Sequence, residues 1–326
     1  MLSDKNILFI APSFFGYEID ILKELRTRYA NVDYIADRPF KSVLLKALTR
    51  IKRRWVVPFL DKYYQNKISS FNRDYDFIFV IIGEGLSENL LSGLKERYPS
   101  AVLILYMWDS FDNKDSLKRN IKFFDRCFSF DRVDAKKYGF RYRPLFYGNG
   151  FKLSEANNCD ITLSFIGTAH SDRYTLVSQT MSLLPKEVVS FCYFFIQAHW
   201  VFYFRRVFSN VYNGTKKSDF NFVPMMKKDV QDIFDSSIAI FDIEHPKQKG
   251  LTMRSIEALG SGKKLVTTNK SALQEDFYNP INIYVLDRDC AEKIPLEFFA
   301  REYQPVSDTI YYKYSISGWI DEIFHS

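Results

Sequence analysis

The chain alternates between two hydrophobic periods along nearly its whole length, and this alternation constrains its fold more than any other feature. Continuous apolar runs of strand length, such as Asn6–Ala11 and Phe77–Ile82, have the pattern of parallel strands buried on both faces. Between such runs, Ile19–Tyr29 and Leu86–Tyr98 place apolar residues at helical spacing. The first half reads as strand Asn6–Ala11, helix Ile19–Tyr29, strand Val32–Ile35, basic helices, strand Phe77–Ile82 and helix Leu86–Tyr98. It continues through strand Ala101–Tyr106, helix Ser116–Phe124, strand Cys127–Phe130, helix Val133–Tyr138 and strand Arg143–Phe146. An order of this kind predicts a parallel, doubly wound α/β sheet with ligands at the carboxyl ends of its strands.

Between Gly148 and Asp160 the pattern lapses into Gly, Asn and polar residues, which marks a linker. The alternation then restarts with strand Ile161–Ile166, helix Tyr174–Leu184, strand Val188–Phe195, helix Trp200–Phe208 and helix Lys227–Phe234. Strand Ile238–Phe241, helix Thr252–Gly260, strand Lys264–Thr267 and strand Ile283–Leu286 follow. With 326 residues the chain exceeds the size at which one hydrophobic core stops growing. Two Rossmann-like doubly wound domains facing across a cleft are therefore expected, the first over residues 1–150 and the second over 151–305.

Net charge is +6, and it has an address. From Lys41 to Lys67 there are eight bases, Arg50, Arg53 and Arg54 among them, against the single acid Asp61, a balance of +7. Leu44, Leu48, Ile51 and Trp55 recur at helical spacing beside those bases, and Pro58 is expected to break or kink the helix. Such a helix suits an anionic membrane interface with Trp55 at headgroup depth; it equally suits a helix packed on the domain with solvated bases. No nucleic-acid-binding module is recognisable. Aromatics are abundant, with 31 Phe and 21 Tyr, and the stretch from Ser190 to Phe208 is rich in them. It reads as a buried strand and a helix packed in the core, with Trp200, Tyr203 and Phe204 partly at an interface. Four scattered cysteines without CxxC spacing read as reduced thiols. No signal peptide and no apolar run of spanning length occur, so a cytoplasmic protein, peripheral at the inner face of the membrane, is expected.

The densest chemistry lies in Gly250-Leu-Thr-Met-Arg-Ser-Ile-Glu-Ala-Leu-Gly-Ser-Gly-Lys-Lys-Leu-Val-Thr-Thr268. Gly250, Leu251 and Thr252 open a helix whose first amides suit a phosphate. Arg254 and Glu257 share one face, and Gly260 and Gly262 close the helix before a strand. A cation and amides for a diphosphate, with a carboxylate for hydroxyls, are what a nucleotide sugar needs. Periodicity alone allows a plainer unit with a surface ion pair. In Ser164–Arg173, Gly167 and Thr168 permit close backbone approach at a strand end, with His170 and Arg173 in reach of a diphosphate; a structural loop is the alternative. His245 and Lys247 follow another strand and precede Gly250.

This segment resembles the donor site of GT-B glycosyltransferases, and its Arg-x-x-Glu-Ala form is similar to the CgeB-like branch and to capsule and lipopolysaccharide enzymes of bacteria. Tyr106-Met-Trp-Asp-Ser-Phe-Asp-Asn113, Phe130-Asp-Arg-Val-Asp134 with Pro144-Leu-Phe-Tyr147, and Ser164-Phe-Ile-Gly-Thr168 with Arg173 resemble the same group. The resemblance implies a hexosyltransferase-like enzyme that moves sugar from a nucleotide-diphosphate sugar, as co-substrate rather than cofactor; with Arg and helix amides to hold the leaving diphosphate, no essential metal ion is expected. The acceptor would be a glycan or lipid-linked glycan of surface polysaccharide synthesis. It also implies a C-terminal helix, residues 306–326, that crosses back to the first domain; Tyr311–Phe324 has helical spacing. Lys249 stands where many retaining members carry the first glutamate of a Glu-x7-Glu pair, so that pair's role does not transfer and the stereochemical course stays open; Lys249 is a partial substitute for the missing acid.

On the acceptor side, strand ends of the first domain supply Phe14, Phe15 and Gly16, then Glu84, then Trp108 and Asp109. For a transfer that inverts, which needs a carboxylate or His to take the acceptor's proton, Asp109 is the first choice of general base and Glu84 the second, with Trp108 as a platform for a sugar ring. Asp109 also suits a helix N-cap. Asp131 and Asp134 read as helix caps lining the cleft. Asp287-Arg-Asp289 spells a metal-binding DxD but reads as a turn, so no metal ligands are assigned. Two other functions fit the same residues. A nucleotide-sugar epimerase would turn over donor without acceptor, and a non-catalytic membrane-docking assembly protein would show no nucleotide-dependent stabilisation.

Overall fold

The computed structural model describes residues 2–37, 53–112, 114–153, 159–209, 212–290 and 292–325. These divide into two compact units. The first comprises Met1–Pro144 together with Trp319–Ser326, and the second Leu145–Gly318.

The first unit holds a parallel six-stranded sheet in the order β2-β1-β3-β4-β5-β6. Its elements are β1 (Asn6–Ala11), α1 (Tyr17–Thr27), β2 (Asn31–Ala36), α2 (Arg53–Phe71), β3 (Phe77–Ile81), α3 (Glu88–Arg97), β4 (Val102–Met107), β5 (Arg126–Ser129), α4 (Arg132–Tyr138) and β6 (Arg141–Tyr142). Strand residues alternate between two buried faces. Leu8, Ile10, Val80, Leu103 and Leu105 meet the α2 and α3 helices on one side. On the other, Phe9 stacks on Phe79, and Phe79 and Tyr106 meet Trp319 of the C-terminal segment.

Three local expectations change here. The predicted strand Arg143–Phe146 is replaced by the two-residue β6, because Pro144 has no N–H to give a ladder. The predicted α-helix Ser116–Phe124 is a 3-10 helix, Asp115–Phe123. Its inward residues Leu117, Asn120 and Phe123 are spaced by three, the 3-10 period. Pro58 lies inside α2, so the helix is not broken there. Of the basic stretch, Arg50 and the stripe at Leu44, Leu48 and Ile51 lie outside the described residues. Arg53, Arg54 and Trp55 are described only as the first turn of α2.

The second unit holds a parallel five-stranded sheet in the order β11-β10-β9-β7-β8. Its elements are β7 (Ile161–Thr168), α5 (Arg173–Ser182), β8 (Ser190–Phe195), α6 (His199–Phe208), α7 (Lys227–Asp235), β9 (Ser237–Asp242), α8 (Met253–Gly260), β10 (Lys264–Thr267), β11 (Ile283–Val285), α9 (Leu296–Ala300) and α10 (Asp308–Tyr314). The closing helix α11 (Ile316–His325) begins in this unit and ends in the first. The single helix expected over Tyr311–Phe324 is broken at Ser315. Tyr147 donates its N–H to the Tyr314 carbonyl and accepts from Ile316 N–H, which takes both groups out of a helical ladder.

Candidate functional site

The strand order of each sheet reverses at one place, and in open α/β sheets ligands bind beyond the carboxyl ends of the strands at such a place. In the second unit the reversal falls between β7 and β9. The segments that follow those two strands carry most of the donor-side residues expected from the sequence.

After β7, the chain runs through Gly167 and Thr168 to His170 and Arg173. A Cβ at Gly167 would come within 2.9 Å of the Phe165 ring, so the bare backbone there accommodates that ring, with Arg173 Nη1 in ordinary contact distance alongside at 3.6 Å. Arg173 Nη1 donates to the Thr168 carbonyl at 3.4 Å, whereas its Nε is buried with no hydrogen-bond partner. Burial holds the Arg173 pKa below its ordinary value against the pull of Asp242 and Glu244. His170 is pushed down to about 3, chiefly by burial and then by Arg173, His245 and Arg205, so its ring is neutral at physiological pH. The His245 ring lies 5.2 Å from that of His170. His245 Nδ1 accepts the N–H of Lys247, whose own side chain is exposed.

Asp242, at the end of β9, fixes the start of α8: Thr252 Oγ1 and Ser255 Oγ both donate to its Oδ2 at 2.6 Å. Thr252 is the N-cap and accepts from Ser255 N–H. Gly250 offers its carbonyl to Asn269 Nδ2 at 3.0 Å, and Leu251 is buried. Arg254 Nη1 meets Glu257 Oε2 at 2.5 Å and lies over the Phe234 ring of α7. Glu257 is wholly buried, so the pair is not the surface ion pair that periodicity alone allows. The exposed Lys249 offers its carbonyl to Ser271 Oγ.

Arg288 was not singled out from sequence. It follows β11 and joins two loops, donating to Asp172 at 2.8 and 3.0 Å and to Glu244 Oε1 at 2.6 Å. Thr268 Oγ1 donates to the other Glu244 oxygen. The Asp-Arg-Asp triplet at 287–289 thus contributes through its arginine, while Asp287 accepts the Asp289 N–H in a turn. Among the described residues no group of three or more His, Cys, Asp or Glu is arranged to hold a metal ion.

In the first unit the reversal falls between β1 and β3. Phe14 after β1 meets Trp108 after β4 at 6.0 Å between ring centroids, and Tyr17 joins them at 5.8 Å from Trp108. Phe15 stands exposed beside Phe14, and Gly16, at positive φ, caps α1. Lys114 Nζ sits 2.8 Å from Glu84 Oε2 and 3.9 Å from Asp109 Oδ2, so one cation serves both candidate bases. Lys114, not Asp109, is the N-cap of the 3-10 helix that follows, and Asp109 Oδ1 accepts the adjacent Ser110 N–H. Asp131 does cap α4, and Asp134 braces the loop after Trp108 through Ser110 and Phe111. Asp37, also unforeseen, accepts the N–H groups of Glu84 and Gly85 and so sets the loop that carries Glu84.

No protein-family model matches this chain, and no curated protein matches it by sequence. Solved structures do match. A glycosyltransferase from Rickettsia africae ESF-5 superposes with a TM-score of 0.63 at 12% identity, over 98% of this chain and 96% of that one. HepE of Anabaena, solved in complex with UDP and glucose, gives 0.59 at 11% identity, over 99% and 100%. The chain has the GT-B fold. The lipopolysaccharide outer core galactosyltransferase WaaB, in its apo form, aligns on the same GT-B fold with a TM-score of 0.50 at 12% identity, over 98% and 95%. At such identities the likeness is one of fold. The residues that distinguish one GT-B protein from another have to be read from this chain itself.

Proposed function

We propose that this chain is a metal-independent glycosyltransferase that takes a hexose from a nucleoside-diphosphate sugar and passes it to a hydroxyl of a glycan or lipid-linked glycan. The observation that carries the reading is Arg173. A buried guanidinium nitrogen without a partner, at the point where the second sheet reverses, is matched by the oxygens of a pyrophosphate. A neutral His170 beside it can donate one further hydrogen bond, and the opening of α8 at Gly250–Thr252 adds backbone amides. Arg288, held by Asp172 and Glu244, fixes the loops around that place. The neighbour HepE was solved with UDP and glucose, which makes UDP the first nucleotide to try.

In the transfer, the acceptor hydroxyl gives its proton to Asp109 as its oxygen bonds to the anomeric carbon. The nucleoside diphosphate departs with the bonding electrons, its charge met by Arg173 and the α8 amides. Trp108, Phe14 and Phe15 offer apolar faces to the acceptor's sugar rings. The neighbour WaaB is a lipopolysaccharide outer core galactosyltransferase, and a surface-polysaccharide acceptor is proposed here on that likeness and on the sequence motifs. Among the described residues no helix is long and apolar enough to cross a membrane. The basic stretch with Arg50, Arg53, Arg54 and Trp55 is proposed to hold the enzyme at the inner membrane face.

A thermal-shift panel of UDP, GDP, CMP and dTDP tests the donor site. Ligand at a hundredfold excess over Kd adds about 2.7 kcal/mol of stability, a readable rise in Tm. A diphosphate is expected to give that rise and Arg173→Met to abolish it at unchanged ligand-free Tm. No shift with any nucleotide would remove the reading. EDTA is expected to leave transfer intact.

A further inference from the structure

Helix α6 is turned the wrong way for a core helix. Trp200, Tyr203, Phe204, Val207 and Phe208 follow the i, i+3, i+4, i+7, i+8 rule of a single apolar stripe, yet all five are between 53% and 74% exposed. Only Phe202 of its ten residues is buried, with Val201 partly packed on the same core. Arg205 is spent inward on the Ala169 carbonyl and the Tyr212 hydroxyl. Beside the start of the helix, where the Phe222 ring lies 4.0 Å from that of His199, Val223 and Met226 are exposed as well. An outward apolar stripe of this size is an interaction surface rather than a scatter of single residues.

The charge around it selects the occupant. From Val188 to Ser218 there is no Asp or Glu, whereas Arg205, Arg206, Lys216 and Lys217 are present. Arg206, Lys216 and Lys217 are exposed. A second copy packed by a two-fold axis would bring these like charges together, while an anionic lipid surface neutralises them. Trp and Tyr at the start and middle of the stripe suit headgroup depth, and a ten-residue helix, about 15 Å long, lies in such an interface without crossing it. We infer that α6 is a membrane-docking element of the second unit, inserting its Trp200–Phe208 stripe into an anionic lipid interface. This surface is separate in sequence from the basic stretch at 41–67 and does not depend on the transferase reading.

The test is co-sedimentation of the full chain with vesicles of phosphatidylcholine, with and without phosphatidylglycerol. Binding is expected only with phosphatidylglycerol. The exposed-site variant Phe204→Ser/Val207→Ser/Phe208→Ser should lose at least roughly tenfold in vesicle partition, because the apolar area that enters the interface is removed. Arg206→Glu/Lys217→Glu should lose binding at low salt, and what binding remains should no longer weaken as salt is added. Both variants should keep a Tm close to wild type, since every substituted side chain is exposed. Three outcomes overturn the inference. One is wild-type-like binding by both variants, which assigns docking to the 41–67 stretch. Another is equal binding to neutral vesicles. The third is no vesicle binding, with a concentration-dependent dimer that the triple serine variant abolishes.

Discussion

At the scale of single residues, the two candidate sites are built from charges held under constraint. His170 illustrates it. Its folded pKa of about 3 lies below the ordinary 6.5, so between those values the unfolded chain binds a proton that the folded chain refuses. Stability from this group is complete above about pH 6.5 and is lost as pH falls towards 3, at up to about 1.4 kcal/mol per pH unit. His170→Gln should therefore flatten the fall of Tm between about pH 6.5 and 4.5 relative to wild type; parallel curves would show that the ring is not held neutral. Asp109→Asn keeps the shape of the side chain and removes its basicity. It should retain the nucleotide-induced Tm rise and lose transfer by at least about a hundredfold, and normal transfer would reassign the base. Residues at strand ends, such as Gly167, Arg173 and His245, were legible because local pattern marks where a strand stops. Arg288 was not, because its partners lie 44 and 116 residues away and meet it only through the order of parallel strands.

At the scale of elements, helix α8 shows local sequence and packing in agreement. Thr252 caps its start, and its end is a Schellman turn: Gly262 N–H donates to the Leu259 carbonyl and Lys263 N–H to that of Ala258. Gly262 takes the left-handed conformation there, at φ 63°. Gly260 is glycine for another reason, since a Cβ would collide with the Phe151 carbonyl and the Tyr147 ring. Gly260→Ala is expected to cost about 1–3 kcal/mol of stability, read as a lowered denaturation midpoint at unchanged slope. An unchanged midpoint would mean that the Tyr147 segment yields freely. The same periodic reasoning met its limit elsewhere. The Trp200–Phe208 stripe was readable as a face, but period does not say whether a face points in or out. The break at Ser315 was invisible because Tyr147, which makes it, stands far away in the chain.

At the scale of the molecule, strand–helix alternation was enough to foresee parallel α/β sheets, since a βαβ crossover demands them, while strand order and the route of the C-terminus depend on non-local packing. That route carries a consequence. Trp319, Ile320, Ile323 and Phe324 are buried in the first unit, with the Trp319 ring 4.8 Å from that of Tyr106. Arg28 pairs with Asp321, Arg126 reaches the Phe324 carbonyl, and the fully buried Arg143 meets Glu322 at 2.9 Å. Deleting residues 319–326 would uncover one face of the first sheet and take the Glu322 carboxylate away from the buried Arg143. Truncating one buried Trp alone costs about 3–5 kcal/mol, and losing a buried charge's partner a similar amount, against a typical domain stability of 5–15 kcal/mol. The first unit should then lose most of its protection, with amides of β1, β3 and β4 exchanging faster by orders of magnitude in peptide-resolved hydrogen exchange. Those of β7, β9 and β10 should change little, and the nucleotide-induced Tm rise of the second unit should survive. Equal loss of protection in both sheets would show instead that the two units fold as one cooperative whole.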